Sequence, residues 1–156
     1  MAEELNILKN ISKEQKYQEL LPQIEALISD EPDLIANMAN VAAVIKTATN
    51  YLWAGFYLVK GEELVLGPFQ GSIACARIKK GNGVCGVAWL SQETQIVPDV
   101  DAFPGHIACS GDSKSEIVVP GIKNGKVQFI LDVDSSTINE LDATDARFFE
   151  QIVELL

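Results

Sequence analysis

Ser-Glu-Ile-Val-Val-Pro-Gly-Ile (115–122), Lys-Asn-Gly (123–125) and Lys-Val-Gln-Phe-Ile-Leu-Asp-Val-Asp (126–134) form the stretch that decides the fold. Two β-branched, apolar runs flank a short turn containing Asn-Gly, the pattern of an antiparallel hairpin. Side chains alternate between sheet faces, so the register determines which residues share a face. A two-residue turn carried straight through would set Ile117 opposite Asp132 and mix apolar with acidic positions. A three-residue loop with Gly125 in the left-handed region pairs Ile117 with Leu131, Val119 with Phe129 and Gly121 with Val127, and keeps one face apolar. That register sets Glu116 opposite Asp132, with Asp134 two residues along on the same face. Like charges facing each other across a sheet are destabilising. Three crowded carboxylates therefore mean either a hydrated outer face or a pocket that takes a cation and keeps one carboxyl protonated.

Working outward from the hairpin, Asp99 to Ser113 reads as a long loop with Pro104, Gly105 and Gly111. Loops of that length in a compact domain are usually functional or disordered. This one carries His106 and Cys109, and Glu116 follows seven residues after the thiol. A sulfur in a polar, glycine-bearing loop beside an acid points to chemistry, because a structural cysteine usually sits in apolar sequence. Further upstream, Leu52, Ala54, Phe56 and Leu58 alternate with Tyr51, Trp53, Gly55 and Tyr57 at strand spacing. Shorter strands are expected near Glu63–Leu66, near Ser72–Arg77 with Cys75 on the strand, and at Thr94–Val97. Gly67–Gly71 reads as a loop, and Val84–Ser91 as a helix carrying Cys85 near its start. The N-terminal third is helical. Ser12 and Gln15 make a capping box, and Tyr17, Leu20, Leu21, Ile24, Leu27 and Ile28 recur at helical period with Pro22 as a possible kink. A second stripe runs from Leu34 to Ile45, with Pro32 in its first turn. Asp142, with Asp145 three residues later, opens a C-terminal helix lined by Ala146, Phe149, Ile152 and Val153. The fold class is α+β: a mostly antiparallel central sheet with the N- and C-terminal helices packed on one face.

The chain has 156 residues, 47% of them apolar, which suits one globular domain with a sizeable core. Twelve basic and 22 acidic residues give a net charge of −10, which argues against nucleic acid and anionic membrane as partners. No apolar run reaches the ~20 residues of a bilayer span. Met-Ala-Glu-Glu-Leu lacks the basic and apolar regions of a signal peptide, so the cytoplasm is the expected compartment. Three cysteines, Cys75, Cys85 and Cys109, do not make a disulfide framework in such a chain. They leave buried thiols, a metal site or redox chemistry. No Cys-x2–4-Cys pair is present, which disfavours zinc. A His106–Cys109 dyad lacks an orienting third group.

Longer motifs carry a family resemblance. Asn-Tyr-Leu-Trp-Ala-Gly-Phe-Tyr (50–57), Gly-Pro-Phe-Gln-Gly-Ser-Ile-Ala-Cys (67–75), Gly-Asn-Gly-Val-Cys-Gly-Val-Ala (81–88), Phe-Pro-Gly-His-Ile-Ala-Cys (103–109), Ser-Glu-Ile-Val-Val-Pro (115–120) and Leu-Asp-Val-Asp-Ser (131–135) resemble the free methionine-(R)-sulfoxide reductases. The element order resembles a GAF domain spanning residues 1–156. The resemblance implies an oxidoreductase that reduces free methionine-(R)-sulfoxide and does not act on methionine within proteins. It implies Cys109 as the attacking thiol, Cys75 as the thiol that resolves its sulfenic acid, and Cys85 as an alternative resolving thiol. Glu116, Asp132 and Asp134 would hold the substrate ammonium and polarise the sulfoxide oxygen, and Trp53 would cover the methyl and sulfur. Backbone N–H groups around Gly67–Ile73 and Gly81–Val87 would meet the substrate carboxylate. No metal or organic cofactor is implied. A thioredoxin-like dithiol would regenerate the thiols, and a homodimer is expected. A non-catalytic GAF sensor for a small ligand is the alternative.

Overall fold

The computed structural model describes residues 4–156. Met1, Ala2 and Glu3, the start of the segment read for a leader, lie outside the described residues. The elements run α1 (Lys13–Ile28), α2 (Leu34–Ala48), β1 (Trp53–Lys60), β2 (Glu63–Gln70), β3 (Arg77–Lys79), α3 (Gly83–Ser91), β4 (Gln95–Val97), β5 (Ser115–Lys123), β6 (Lys126–Ser135) and α4 (Ala143–Leu155). The six strands form one antiparallel sheet in the order β3-β2-β1-β6-β5-β4. Among the described residues no helix is long and apolar enough to cross a membrane.

The helices start where the sequence places their caps. Ser12 accepts from the Gln15 N–H and Gln15 returns the bond to the Ser12 N–H, the expected capping box. Asp142 and Asp145 make a second box at α4. Pro22 does not split α1, which runs unbroken through it. Pro32 lies outside α2: Asp33 is the cap, its carboxylate accepting from the Ala36 N–H at 2.9 Å.

Helices α1, α2 and α4 cover one face of the sheet, as expected. Their core unites Leu20, Ile24, Met38, Ile45, Phe149 and Ile152 with Phe56, Ile117, Val119, Phe129, Leu131 and Val133 from the strands. A second apolar cluster on the other face joins α3 to the sheet through Cys85, Ala88 and Trp89 with Tyr57, Val118 and Ile130. The sheet is thus buried on both faces over much of its area.

The hairpin has the expected parity by a different device. Asn124 and Gly125 both adopt positive φ, 53° and 74°, and Lys123 pairs with Lys126, so the turn has two residues and not three. A bulge opposite Gly121 and Ile122 then adds one residue, Gln128, to β6. Beyond it Ile117 pairs with Val133, Val119 with Leu131 and Gly121 with Phe129. The apolar face is preserved, but each pair lies two residues from the expected one. Glu116 faces Asp134, and Asp132 faces Val118. Gly121 suits the bulge because a Cβ there would lie 2.4 Å from the Phe129 ring. Two further expectations are corrected. Gly67–Gln70 is the end of β2, pairing with Ala54 and Gly55, and not a loop. Cys75 lies in the loop before β3 and not on a strand.

One polar group is enclosed in the helical layer. Asp145 is fully buried and accepts from the hydroxyls of Tyr17 and Tyr51 and from Lys13 Nζ at 2.6 Å. These bonds tie α1 and the entry to β1 onto α4. Asp145→Ala would leave two buried hydroxyls without their acceptor and Lys13 without its buried partner. We expect a loss of about 3 kcal/mol in a urea titration; a loss below about 1 kcal/mol would show that water replaces the carboxylate.

Candidate functional site

The site lies on the α3 side of the sheet and is built from two adjacent rows of paired residues. One row crosses four strands as Val97, Glu116, Asp134 and Trp53. The next is Val118, Asp132, Gly55 and Phe69. The bulge keeps Glu116 on the face that Asp132 and Asp134 occupy. All three acids line one cavity together with Trp53, Tyr57, Cys85, His106 and Cys109.

Trp53 is positioned by what is missing around it. A Cβ on Gly55 would lie 2.5 Å from the indole, and one on Gly71, whose φ is +138°, would also lie 2.5 Å from it. Two glycines therefore make the slot in which the ring lies. The indole stacks on Phe69 at 5.3 Å and donates its N–H to the Ser72 carbonyl at 3.0 Å. Tyr57 donates its hydroxyl to the Cys75 carbonyl at 2.9 Å. These two bonds hold the loop between β2 and β3 against the sheet. The loop from Phe103 to Ser113 comes in from the other side, where Ile107 rests on Gly83. Cys75 and Cys109 meet between the two loops and are joined as a disulfide, with Cα atoms 5.4 Å apart. Cys85 is the free cysteine and is buried in the first turn of α3.

The acids sit in an unusual electrostatic setting. Glu116 and Asp132 are 5% and 7% exposed, and among the described residues no Lys or Arg lines the cavity. Cys85 Sγ lies 3.3 Å from Asp132 Oδ2 and 3.9 Å from Glu116 Oε1. His106 Nε2 is 3.8 Å from Glu116 Oε2. Burial drives the Glu116 carboxyl well above the usual range, and the Asp132 and Asp134 charges push it further. Burial and Asp134 do the same to Asp132. Asp134 rises to about 6 through burial, opposed by the Ser113 hydroxyl that donates to it at 2.5 Å. The Cys85 thiol is pushed up by burial and by Asp132 and Glu116. The imidazole of His106 is pushed down by burial. The cluster therefore keeps protons at neutral pH that isolated carboxyls would lose. Asp132 Oδ1 is buried with no hydrogen-bond partner, so one acceptor of this carboxyl is unused.

Every residue singled out from sequence lies in this place. Trp53, Cys85, Cys109, Glu116, Asp132 and Asp134 line the cavity, and Cys75 is bonded to Cys109 at its mouth. Ser72, Ile73, Asn82 and Gly83, from the two loops expected to face a carboxylate, also line it. Tyr57, placed by the strand alternation on the same face as Trp53, packs in the apolar cluster and also lines the cavity and anchors the Cys75 loop. Sequence reasoning overlooked Ser113, for which a hydroxyl two residues before a strand is no signal. It missed the slot-forming role of Gly55, although a glycine between two aromatic residues on one strand face was the available clue.

Fold and cavity together define a GAF-like domain with a disulfide at the mouth of an acid-lined pocket. GAF domain-containing protein A of Dictyostelium discoideum is 57% identical over 157 residues, covering 100% of this chain and 99% of that protein. The free methionine-R-sulfoxide reductase of Saccharomyces cerevisiae is 42% identical over 164 residues, covering 99% and 91%. The crystal structure of the free methionine-R-sulfoxide reductase of Neisseria meningitidis in complex with its substrate superposes with a TM-score of 0.96 at 48% identity, covering 99% and 93%. No family model matches the chain. On these likenesses the chain belongs to the free methionine-R-sulfoxide reductase family.

The pKa of Asp134 has a consequence for stability. Its folded value of about 6 exceeds the ordinary 3.8, so the native state holds this proton more tightly than the unfolded chain does. Its contribution is complete below pH 4 and is lost as pH rises through about 6. Asp134→Asn removes that loss. Between pH 4 and pH 7 the variant should gain about 2 kcal/mol on the native chain in urea denaturation. Parallel pH profiles for the two proteins would contradict the shift.

Proposed function

We propose that this chain reduces free methionine-(R)-sulfoxide to methionine in the cytoplasm. The observation that carries the reading is the disulfide between Cys75 and Cys109 at the mouth of a cavity lined by Trp53, Glu116, Asp132 and Asp134. The named activity of the yeast and Neisseria relatives supports it.

In the reduced chain, Cys109 attacks the sulfoxide sulfur as a thiolate. A buried carboxyl, raised in pKa and so still protonated near neutrality, gives its proton to the sulfoxide oxygen. The oxygen then passes to the Cys109 sulfur as the sulfur–oxygen bond and the newly formed sulfur–sulfur bond both break, so methionine departs with its thioether reduced and Cys109 is left as a sulfenic acid. The Cys75 thiol then displaces that oxygen as water and closes the disulfide. A dithiol protein of the thioredoxin type returns both sulfurs to thiols by exchange. One sulfoxide and one dithiol are consumed for each methionine and each water formed. No metal or organic cofactor takes part in these steps.

The indole of Trp53 packs on the substrate methyl and sulfur, a contact worth roughly 0.3–1.5 kcal/mol. The ammonium takes its place among the carboxylates and supplies the positive charge that the cavity walls lack. It also offsets the upward pressure that nearby acids exert on the attacking thiol. Backbone N–H groups of the Ser72–Ala74 and Asn82–Val84 segments face the substrate carboxylate. A peptide has neither free terminus and would leave these groups unpaired, which selects the unlinked amino acid.

The test is a thiol count in a single turnover. The reduced native chain should form one methionine and lose two thiols. Cys109→Ser should form none. Cys75→Ala should still form one methionine with the first equivalent of sulfoxide, then stall with Cys109 oxidised. An unchanged thiol count in the native chain would leave a binding module and no enzyme. A further readout concerns the proton: the single-turnover rate of Glu116→Gln should lose the native pH profile, and an unchanged profile would remove Glu116 from its path.

A further inference from the structure

Cys85 has no necessary part in the steps above, yet it lies among the acids. Its Sγ is 3.3 Å from Asp132 Oδ2 and 3.9 Å from Glu116 Oε1, and one ligand atom from each of the three residues falls within 4.8 Å of the others. All three side chains are buried. The Asp132 side chain reaches into this cluster through Oδ2, and its other oxygen, Oδ1, is buried with no partner. His106 Nε2 stands 3.8 Å from Glu116 Oε2, on the cavity side.

We propose that this cluster binds a thiophilic divalent cation of the zinc class. A tetrahedral ion with sulfur at about 2.3 Å and oxygen at about 2.0 Å has sulfur–oxygen edges of about 3.5 Å. The two observed sulfur–oxygen edges, 3.9 and 3.3 Å, bracket that value to within a few tenths of an ångström. Cys85 Sγ, a Glu116 oxygen and an Asp132 oxygen supply three ligands and a water would complete the tetrahedron, while His106 Nε2, 3.8 Å from Glu116 Oε2, orients that carboxylate from outside. A donor set that includes a thiolate beside two carboxylates favours zinc or cadmium over magnesium or calcium. The charge also fits, because among the described residues no lysine or arginine lines the cavity to neutralise the acids. On binding, the Cys85 S–H bond breaks, its proton passes to solvent and a metal–sulfur bond forms, with no change of oxidation state. The ion would occupy the ground proposed for the substrate ammonium, so metal and sulfoxide exclude one another. The disulfide state keeps the whole donor set, because Cys75 and Cys109 are bonded to each other and Cys85 is free.

The test uses the oxidised 156-residue chain, in which Cys85 is the one free thiol. Cadmium is titrated while the near-ultraviolet thiolate-to-metal absorption is followed. One equivalent should bind with that band, zinc should displace it, and excess magnesium or calcium should not. Cys85→Ala and Cys85→Ser should each lose the band, Asp132→Asn should weaken binding, and His106→Gln should weaken it about 10–100-fold. Circular dichroism of each variant confirms that it is folded. No binding, binding without the band, or a band that survives in both Cys85 variants would overturn the site. Metal binding is read directly here, so it stands or fails whether or not the chain reduces sulfoxides.

Discussion

Three carboxyls packed side by side, two of them buried and the third half-buried, without a neighbouring lysine or arginine are the constraint on which this structure turns. Glu116 and Asp134 are direct cross-strand partners, and Asp132 lies one row away on the same face. Such an arrangement costs free energy unless protons or a cationic ligand offset the charge. The fold accepts protons, and the raised carboxyls are the result. A cavity of this kind is primed for a positively charged guest and already holds an acid for its chemistry. The proposed binding of an ammonium, the proposed protonation of an oxygen and the proposed metal site share that one origin.

The opposite face of the sheet shows what the same side chain does when its role is structural. Asp145 is as buried as Asp132 but is saturated: two tyrosine hydroxyls, an ammonium and a backbone N–H converge on it. Asp132 has a thiol on one oxygen and nothing on the other. Burial alone therefore does not mark the functional residue. The unmet hydrogen-bonding capacity marks it, since a buried acceptor without a donor is kept at a cost of roughly 1–3 kcal/mol.

Much of this was legible in the sequence because strand periodicity reports faces directly. The alternation in residues 115–134 places Glu116, Asp132 and Asp134 together under any register of the right parity. Parity is what the apolar side chains enforce, since a one-residue slip would drive Ile117 and Val133 out of the helical core. Register itself was not legible. A three-residue loop and a two-residue turn followed by a bulge give the same parity, and the bulge depends on Gly121 meeting the Phe129 ring. The Cys75 loop was misread as strand for a related reason. Ser-Ile-Ala-Cys-Ala has strand-like residues, but its anchors are a carbonyl bonded to the Trp53 indole and another bonded to the Tyr57 hydroxyl. Those partners are some 20 residues away in sequence, and no local pattern reveals them.

The division of labour between strands and loops follows from what each group must do. The acids and Trp53 stand on paired strands, where ladder bonds and packing hold them in place. Recognition and proton placement demand that fixity. Cys75 and Cys109 stand on loops that reach the sheet through a few side-chain and backbone bonds. A sulfur that must first meet a substrate inside the cavity, then a second sulfur at its mouth, and then an external dithiol cannot be held by a rigid ladder. Ile73, 89% exposed beside the disulfide, belongs to the part of the surface that such a partner would have to approach. Placing the acids in the sheet and the sulfurs above it lets one sheet face stay fixed through a cycle in which the covalent bonds of its covering loops change.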